Sequence, residues 1–128
     1  MLSQFQAVTT LVVTDTDEAK AFYETQLGLT LLEETPAGLR FGAGKGSQLT
    51  IRRGQPPASG PTVMHFEVDD VSAVVQDLIS RGVTFEAYET PKTVDFIAQF
   101  GPVRAAWFKD PSGNVIGLRE GPVPARKG

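Results

Sequence analysis

Apolar and polar positions alternate along several short runs of this chain. In TVMHFEV, residues 62–68, Met64, Phe66 and Val68 fall on one side and Val63, His65 and Glu67 on the other. That two-residue period is the signature of a β-strand with two unlike faces. In QLTIRR, Leu49 and Ile51 stand opposite Gln48, Thr50 and Arg52; in NVIGLRE, Ile116 and Leu118 stand opposite Val115, Gly117 and Arg119. FQAVTTLVVTD, LTLLEE, LRFGAG, VTFEAYE and VRAAWFKD also read as strands, from their β-branched and aromatic content. Two stretches switch to a helical period. The first has Asp15 as N-cap with Glu18 completing a capping box, then Ala19, Phe22, Tyr23 and Leu27, and Gly28 as the stop. The second has Asp70 as N-cap, an apolar stripe of Val74, Val75, Leu78 and Ile79, and Gly82 as the stop. DPSGN at 110–114 reads as a turn. TPKTVDFIAQFGP is the least regular stretch, a lid or a loop.

These elements fall into two similar halves. VTDTDEAKAFYETQLGLT aligns with VDDVSAVVQDLISRGVT at an offset of roughly 55 residues, and each half reads β-α-β-β-β. One such unit cannot cover its own sheet, so the two are expected to pair. The expectation is an α+β fold in a single domain, 1–128, with module one at about 5–53 and module two at about 62–121. GQPPASGP forms a linker at 54–61, and residues 122–128 form a tail.

Composition narrows the function classes. The absence of cysteine excludes disulfides, zinc–thiolate sites and thiol nucleophiles. A net charge of −3 without a basic run argues against nucleic acid as a partner. No apolar stretch approaches a membrane span, and the first residues lack the basic-then-apolar pattern of a leader, so a cytoplasmic location is expected. GAGKG at 42–46 lacks the strand–loop–helix context of a phosphate loop and the Ser or Thr after its Lys, and reads as a hairpin turn.

Candidate chemistry lies on the mixed strand faces, which either form a solvated surface or line a cleft. His65 is the only histidine, and Glu67 lies two residues on along the same face, so the two side chains can meet. They make either a general acid–base pair, with Arg52 holding an oxyanion, or a hydrogen-bonded polar wall. Arg52 and Arg119 suit bidentate recognition of a carboxylate or phosphate, although Arg119 near its strand end also fits a snorkelling surface residue.

The paired β-α-β-β-β units, VTDTDEAKAFYETQLGLTLL early and AAWFKDPSGNVIGL late, resemble the vicinal oxygen chelate superfamily over about residues 5–121. That superfamily includes glyoxalase I, extradiol dioxygenases, fosfomycin-modifying enzymes and bleomycin-resistance proteins. The resemblance implies a cupped mixed sheet around a cleft, helices on the outer face, and a homodimer. It also implies a divalent metal, whose ligand positions fall here on Val8, Gln48, Val63 and Gly117. Three of those side chains have no donor atom, whereas a catalytic site needs about three imidazole, carboxylate or thiolate ligands. Metal-dependent glyoxalase or dioxygenase activity is therefore not expected, and neither is a cofactor. The resemblance further marks Trp107, ten residues before Gly117, as an aromatic facing the cleft; packing between strands is its other reading.

The expected function is metal-independent binding of a small molecule, polar or anionic with an apolar or aromatic body. Gln48, Arg52, His65, Glu67, Trp107 and Arg119 are the binding candidates, and His65 and Glu67 the catalytic ones. Two alternatives stand beside it. One is a glyoxalase-like enzyme using His65 and Glu67 as acid and base, or a displaced metal site of His65, Glu67 and Gln48. The other is a dimeric interaction module whose cleft is filled by its own side chains.

Overall fold

The computed structural model describes residues 1–56 and 60–123. Of the expected linker, residues 57–59, and of the expected tail, residues 124–128, lie outside the described residues. The fold is α+β and is built from two compact units, Met1–Gly60 with Asp110–Asn114, and Pro61–Lys109 with Val115–Gly128. Each carries one four-stranded mixed sheet.

In the first unit the strands are β1 (Thr9–Val13), β2 (Thr30–Thr35), β3 (Gly38–Gly42) and β4 (Gln48–Arg53), arranged β1-β4-β3-β2. β1 runs parallel to β4, and the other pairs are antiparallel. Helix α1 (Thr16–Lys20) begins where Asp15 Oδ1 accepts from the backbone N–H groups of Asp17 and Glu18, at 2.9 and 3.1 Å. These are amides that a helix start leaves without partners. The helix then widens into a π-helical turn, Ala21–Gln26, in which Leu27 N–H donates to Phe22 O at 2.9 Å. The neighbouring residues Phe22 and Tyr23 are both buried, with their rings edge-to-face at 5.2 Å. Gly28 ends the helix at φ +75°, a conformation that costs a residue with a Cβ. Leu11, Val13, Leu39, Phe41, Leu49 and Ile51 supply the sheet's share of the core.

The second unit repeats the plan. Its strands are β5 (Met64–Glu67), β6 (Ala98–Phe100), β7 (Val103–Lys109) and β8 (Val115–Glu120), in the order β5-β8-β7-β6 with β5 parallel to β8. Helix α2 (Val71–Ser80) follows Asp70, whose Oδ1 accepts from Ala73 N–H at 3.2 Å. Its buried stripe is Val71, Val75 and Leu78, whereas Val74 is half-buried and Ile79 is 38% exposed. The stripe is phased from Val71, and at 3.6 residues per turn that phase carries Ile79 out of the interface.

One strand lies elsewhere than the pattern predicts. VTFEAYE forms no strand; Phe85 makes a single bridge to Phe108, and Val83 and Phe85 are buried as packing residues. The third strand position is filled from the irregular stretch, where Ala98–Phe100 pairs antiparallel with β7. Just before it, Val94 and Ile97 exchange both backbone hydrogen bonds, at 2.8 and 3.0 Å, around Asp95 (φ +51°) and Phe96 (φ +70°). Positive φ at both central residues is the requirement of a tight primed hairpin turn, met here without glycine. The Phe96 ring lies 6.2 Å from that of Phe85, a packing contact that helps to hold the turn.

Candidate functional site

On the second sheet, the face turned away from the core carries two cross-strand rows. His65 pairs in register with Gly117, and Gly117 with Trp107; one row on, Glu67 pairs with Arg119, and Arg119 with Ala105. Glycine at 117 lets this face close up. A Cβ there would lie 3.3 Å from His65 Cβ, 3.4 Å from Thr62 Cγ2 and 3.5 Å from Trp107 Cδ1. The ring of Tyr88 meets Trp107 edge-on at 5.6 Å, so two half-buried aromatics stand beside the imidazole row.

The polar groups of this face form one chain. His65 Nε2 and Glu67 Oε1 are 2.7 Å apart, and Arg119 Nη1 donates to Glu67 Oε2 at 2.9 Å. Both carboxylate oxygens are thus engaged. The hydrogen bond from His65, joined by the hydrogen bond and charge of Arg119, holds the Glu67 carboxyl below its ordinary range. Burial, aided by the charge of Glu86, raises the Tyr88 phenol above its own. His65 and Glu67 remain about half exposed.

The corresponding face of the first sheet holds Gln48 and Arg52. Thr10, Thr50, Arg40 and Glu33 form a row across all four strands, and Thr10 Oγ1 and Thr50 Oγ1 are 2.8 Å apart. Arg40 Nε donates to Gln48 Oε1 at 2.6 Å. A bulge between Leu31 and Glu33 brings Leu32 over Gly42, where an added Cβ would lie 3.3 Å from Leu32 Cδ1. Two depressions lie on this sheet. One, of about 450 Å³, is lined by Gly28, Thr30, Leu32, Gly42, Ser47 and Gln48 among others. The other, of about 170 Å³, is lined chiefly by Glu33, Thr35, Gly38, Arg40, Thr50 and Arg52. Arg40 is the residue that sequence reasoning missed. The signal for it was present in LRFG, where Arg40 falls between Leu39 and Phe41 and so points to the opposite face.

A buried polar cluster completes the first unit. The Asp110 carboxylate accepts from Tyr23 Oη at 2.8 Å, from Ser112 N–H at 3.0 Å, from Asn114 N–H at 2.8 Å and from Asn114 Nδ2 at 2.9 Å. Asn114 Nδ2 also donates to Val12 O at 2.9 Å. The turn expected at DPSGN is present, with both its carboxylate and its amide buried.

The residues present do not fit the divalent metal that the family resemblance implies. Val8, Val63 and Gly117 offer no side-chain donor, and the one acceptor oxygen of Gln48 already receives the Arg40 guanidinium. Among the described residues there is no group of three or more His, Cys, Asp or Glu able to hold a metal ion.

A family model described as the Glyoxalase/Bleomycin resistance protein/Dioxygenase superfamily matches residues 5–118. Among solved structures, the chain is similar to TnmS3, an antibiotic binding protein from Streptomyces sp. CB03234, at 28% identity and TM-score 0.69, covering 92% of this chain and 96% of that one. It is similar to a glyoxalase/bleomycin resistance protein from the same organism at 30% identity and TM-score 0.65, with 89% and 98% covered. It shares the fold of the fosfomycin resistance protein FosX from Listeria monocytogenes, at 16% identity and TM-score 0.74, with 93% and 94% covered. No curated protein matches the chain significantly.

Proposed function

The chain belongs to the Glyoxalase/Bleomycin resistance protein/Dioxygenase superfamily, and on that premise we propose that it binds a small molecule without a metal. The ligand is polar or anionic with an aromatic or apolar body. The observation that carries this reading is the second sheet's face, where Trp107 and Tyr88 adjoin the His65–Glu67–Arg119 chain. An aromatic wall with a few fixed polar groups is what a binding site for such a molecule requires. Similarity to a protein described as antibiotic binding supports it. So does the unsuitable donor set at the metal positions. In this reading the protein acts as a cytoplasmic homodimer.

Trp107 is the only tryptophan, so its emission reports on this face alone. Titration with a panel of aromatic carboxylates is expected to give saturable quenching at one ligand per chain, with the ligand recovered unchanged. His65→Ala is expected to weaken binding about tenfold, the worth of one polar contact, while the native fold is retained. Absence of quenching across the panel would sink the assignment of the ligand to this face.

The 2.7 Å approach of His65 to Glu67 favours a second reading, acid–base catalysis on a bound ligand. Conversion of the ligand by the native protein, lost in both His65→Ala and Glu67→Gln, would put that reading first.

A further inference from the structure

We propose that Arg40 and Arg52 form an oxyanion subsite on the sheet of the first unit, taking the carboxylate or phosphate group of a ligand. This deepens the small-molecule reading, and rests on it for the existence of a ligand but not for the location of the site.

Arg40 faces Thr50 directly across β3 and β4, and Arg52 lies two residues beyond Thr50 on β4, so both project from one face. Diagonal neighbours of this kind sit roughly 7–8 Å apart at the backbone, within reach of one another for side chains as long as arginine. The depression of about 170 Å³ is lined by both. Its opening beside Arg52 has a steric origin. Gly38 is the cross-strand partner of Arg52, and a Cβ there would run into the backbone oxygen of Ile51. No side chain fits at 38, and the space stays free.

The arginines of the two sheets differ in their surroundings. Arg104 and Arg119 are each held by a glutamate, Glu120 and Glu67. Among the described residues neither Arg40 nor Arg52 has a carboxylate within ion-pair distance. Glu33 stands opposite Arg40 in register without pairing to it. Arg40 is instead fixed by a neutral group, with its Nε on Gln48 Oε1, which orients the guanidinium plane and leaves its Nη atoms available to the depression. Two cations on one face, one of them aimed by an amide rather than neutralised by an acid, match the fork geometry that recognises an oxyanion through paired hydrogen bonds. Thr50 lines the same depression.

The test is titration of the full chain with sodium phosphate and, separately, sodium acetate, at constant ionic strength in chloride, followed by the Nε–H and backbone amide NMR signals. Saturable shifts confined to Arg40, Thr50 and Arg52 are expected. Arg52→Gln and Arg40→Gln are each expected to raise the half-saturation concentration at least about fivefold, the loss of one charge-assisted contact. Arg53→Gln, one residue along and on the other face, is expected to leave it unchanged. Arg40→Lys keeps the charge and loses the fork, and is expected to weaken binding should Arg40→Gln not fold. Tighter binding of phosphate assigns a phosphoryl ligand and tighter binding of acetate a carboxylate; either supports the subsite. Non-saturating shifts, shifts reproduced by chloride, or unaltered half-saturation in Arg52→Gln would overturn it. Saturation here with no Trp107 quenching by the aromatic panel would overturn only the reading of the second sheet's face.

Discussion

Tyr23 shows how much one hydroxyl settles. It sits in the π-helical turn with no exposed surface, and its hydroxyl donates to the Asp110 carboxylate at 2.8 Å. Removing the oxygen leaves a buried carboxylate short of one donor, a loss of roughly 1.5–3 kcal/mol for a hydrogen bond to a charged group. Tyr23→Phe is expected to lower stability by that amount in urea unfolding, with the native far-UV spectrum retained. Burial, and then the charge of Asp110, raise the Tyr23 phenol far above its ordinary value. Stability linked to a raised group is complete below the unfolded value, about 10 for tyrosine, and declines as pH rises above it. The native protein should therefore lose stability between pH 9 and 11.5 more steeply than Tyr23→Phe; equal slopes would contradict the linkage. Glu67 has the opposite sign. Its lowered carboxyl contributes stability above the ordinary carboxylate range, lost as pH falls through the folded value. The stability gap between the native protein and Glu67→Gln should close on acidification from pH 7 to 3.

Among the elements, those that the pattern located are those with a solvent-facing side. β1, β3, β4 and β5 show alternation because one face meets the core and the other meets polar surroundings. The error at VTFEAYE arose because burial of Val83 and Phe85 in an irregular segment imitates the same period. β6 is three residues long, too short to show a period at all. The role of Asp110 and Asn114 was hidden for a different reason: Asp and Asn are ordinary turn residues, and nothing local reveals that a phenol 87 positions away closes over them. His65, Glu67 and Arg119 could be placed on one face by counting, but their contacts depend on strand pairing. β8 lies beside β5 although helix α2, β6 and β7 intervene along the chain, and only the register puts Arg119 next to Glu67. That register also predicts the effect of Gly117→Ala. A methyl 3.3 Å from His65 Cβ must press that residue back by a few tenths of an ångström, while at 3.5 Å it meets Trp107 Cδ1 in ordinary contact. Weakened quenching by a ligand that contacts His65 is expected, with a stability loss of about 1 kcal/mol, the low end for overpacking.

At the scale of the molecule, the repeat legible in the sequence becomes two sheets of identical connectivity. The shared topology carries unlike chemistry. One sheet presents arginines and threonines, and the other an imidazole–carboxylate–guanidinium chain beside aromatics. Neither gathers three metal-binding side chains among the described residues. Native mass spectrometry after soaking in nickel, zinc or manganese is accordingly expected to show no stoichiometric metal adduct. A bound ion of one equivalent per chain would restore a displaced site built on His65 and Glu67.

The bulge at Leu32 reaches beyond the depression it shapes. β2 closes one margin of its sheet, with half of its backbone groups turned away from any strand of that sheet. An even margin of this sort invites an extended segment of another chain to dock and propagate. The offset between Leu31 and Glu33 breaks the regular spacing that such a visitor must match. The kink that sets Leu32 into the wall of a depression therefore also discourages folded copies from seeding fibrous aggregates through this margin.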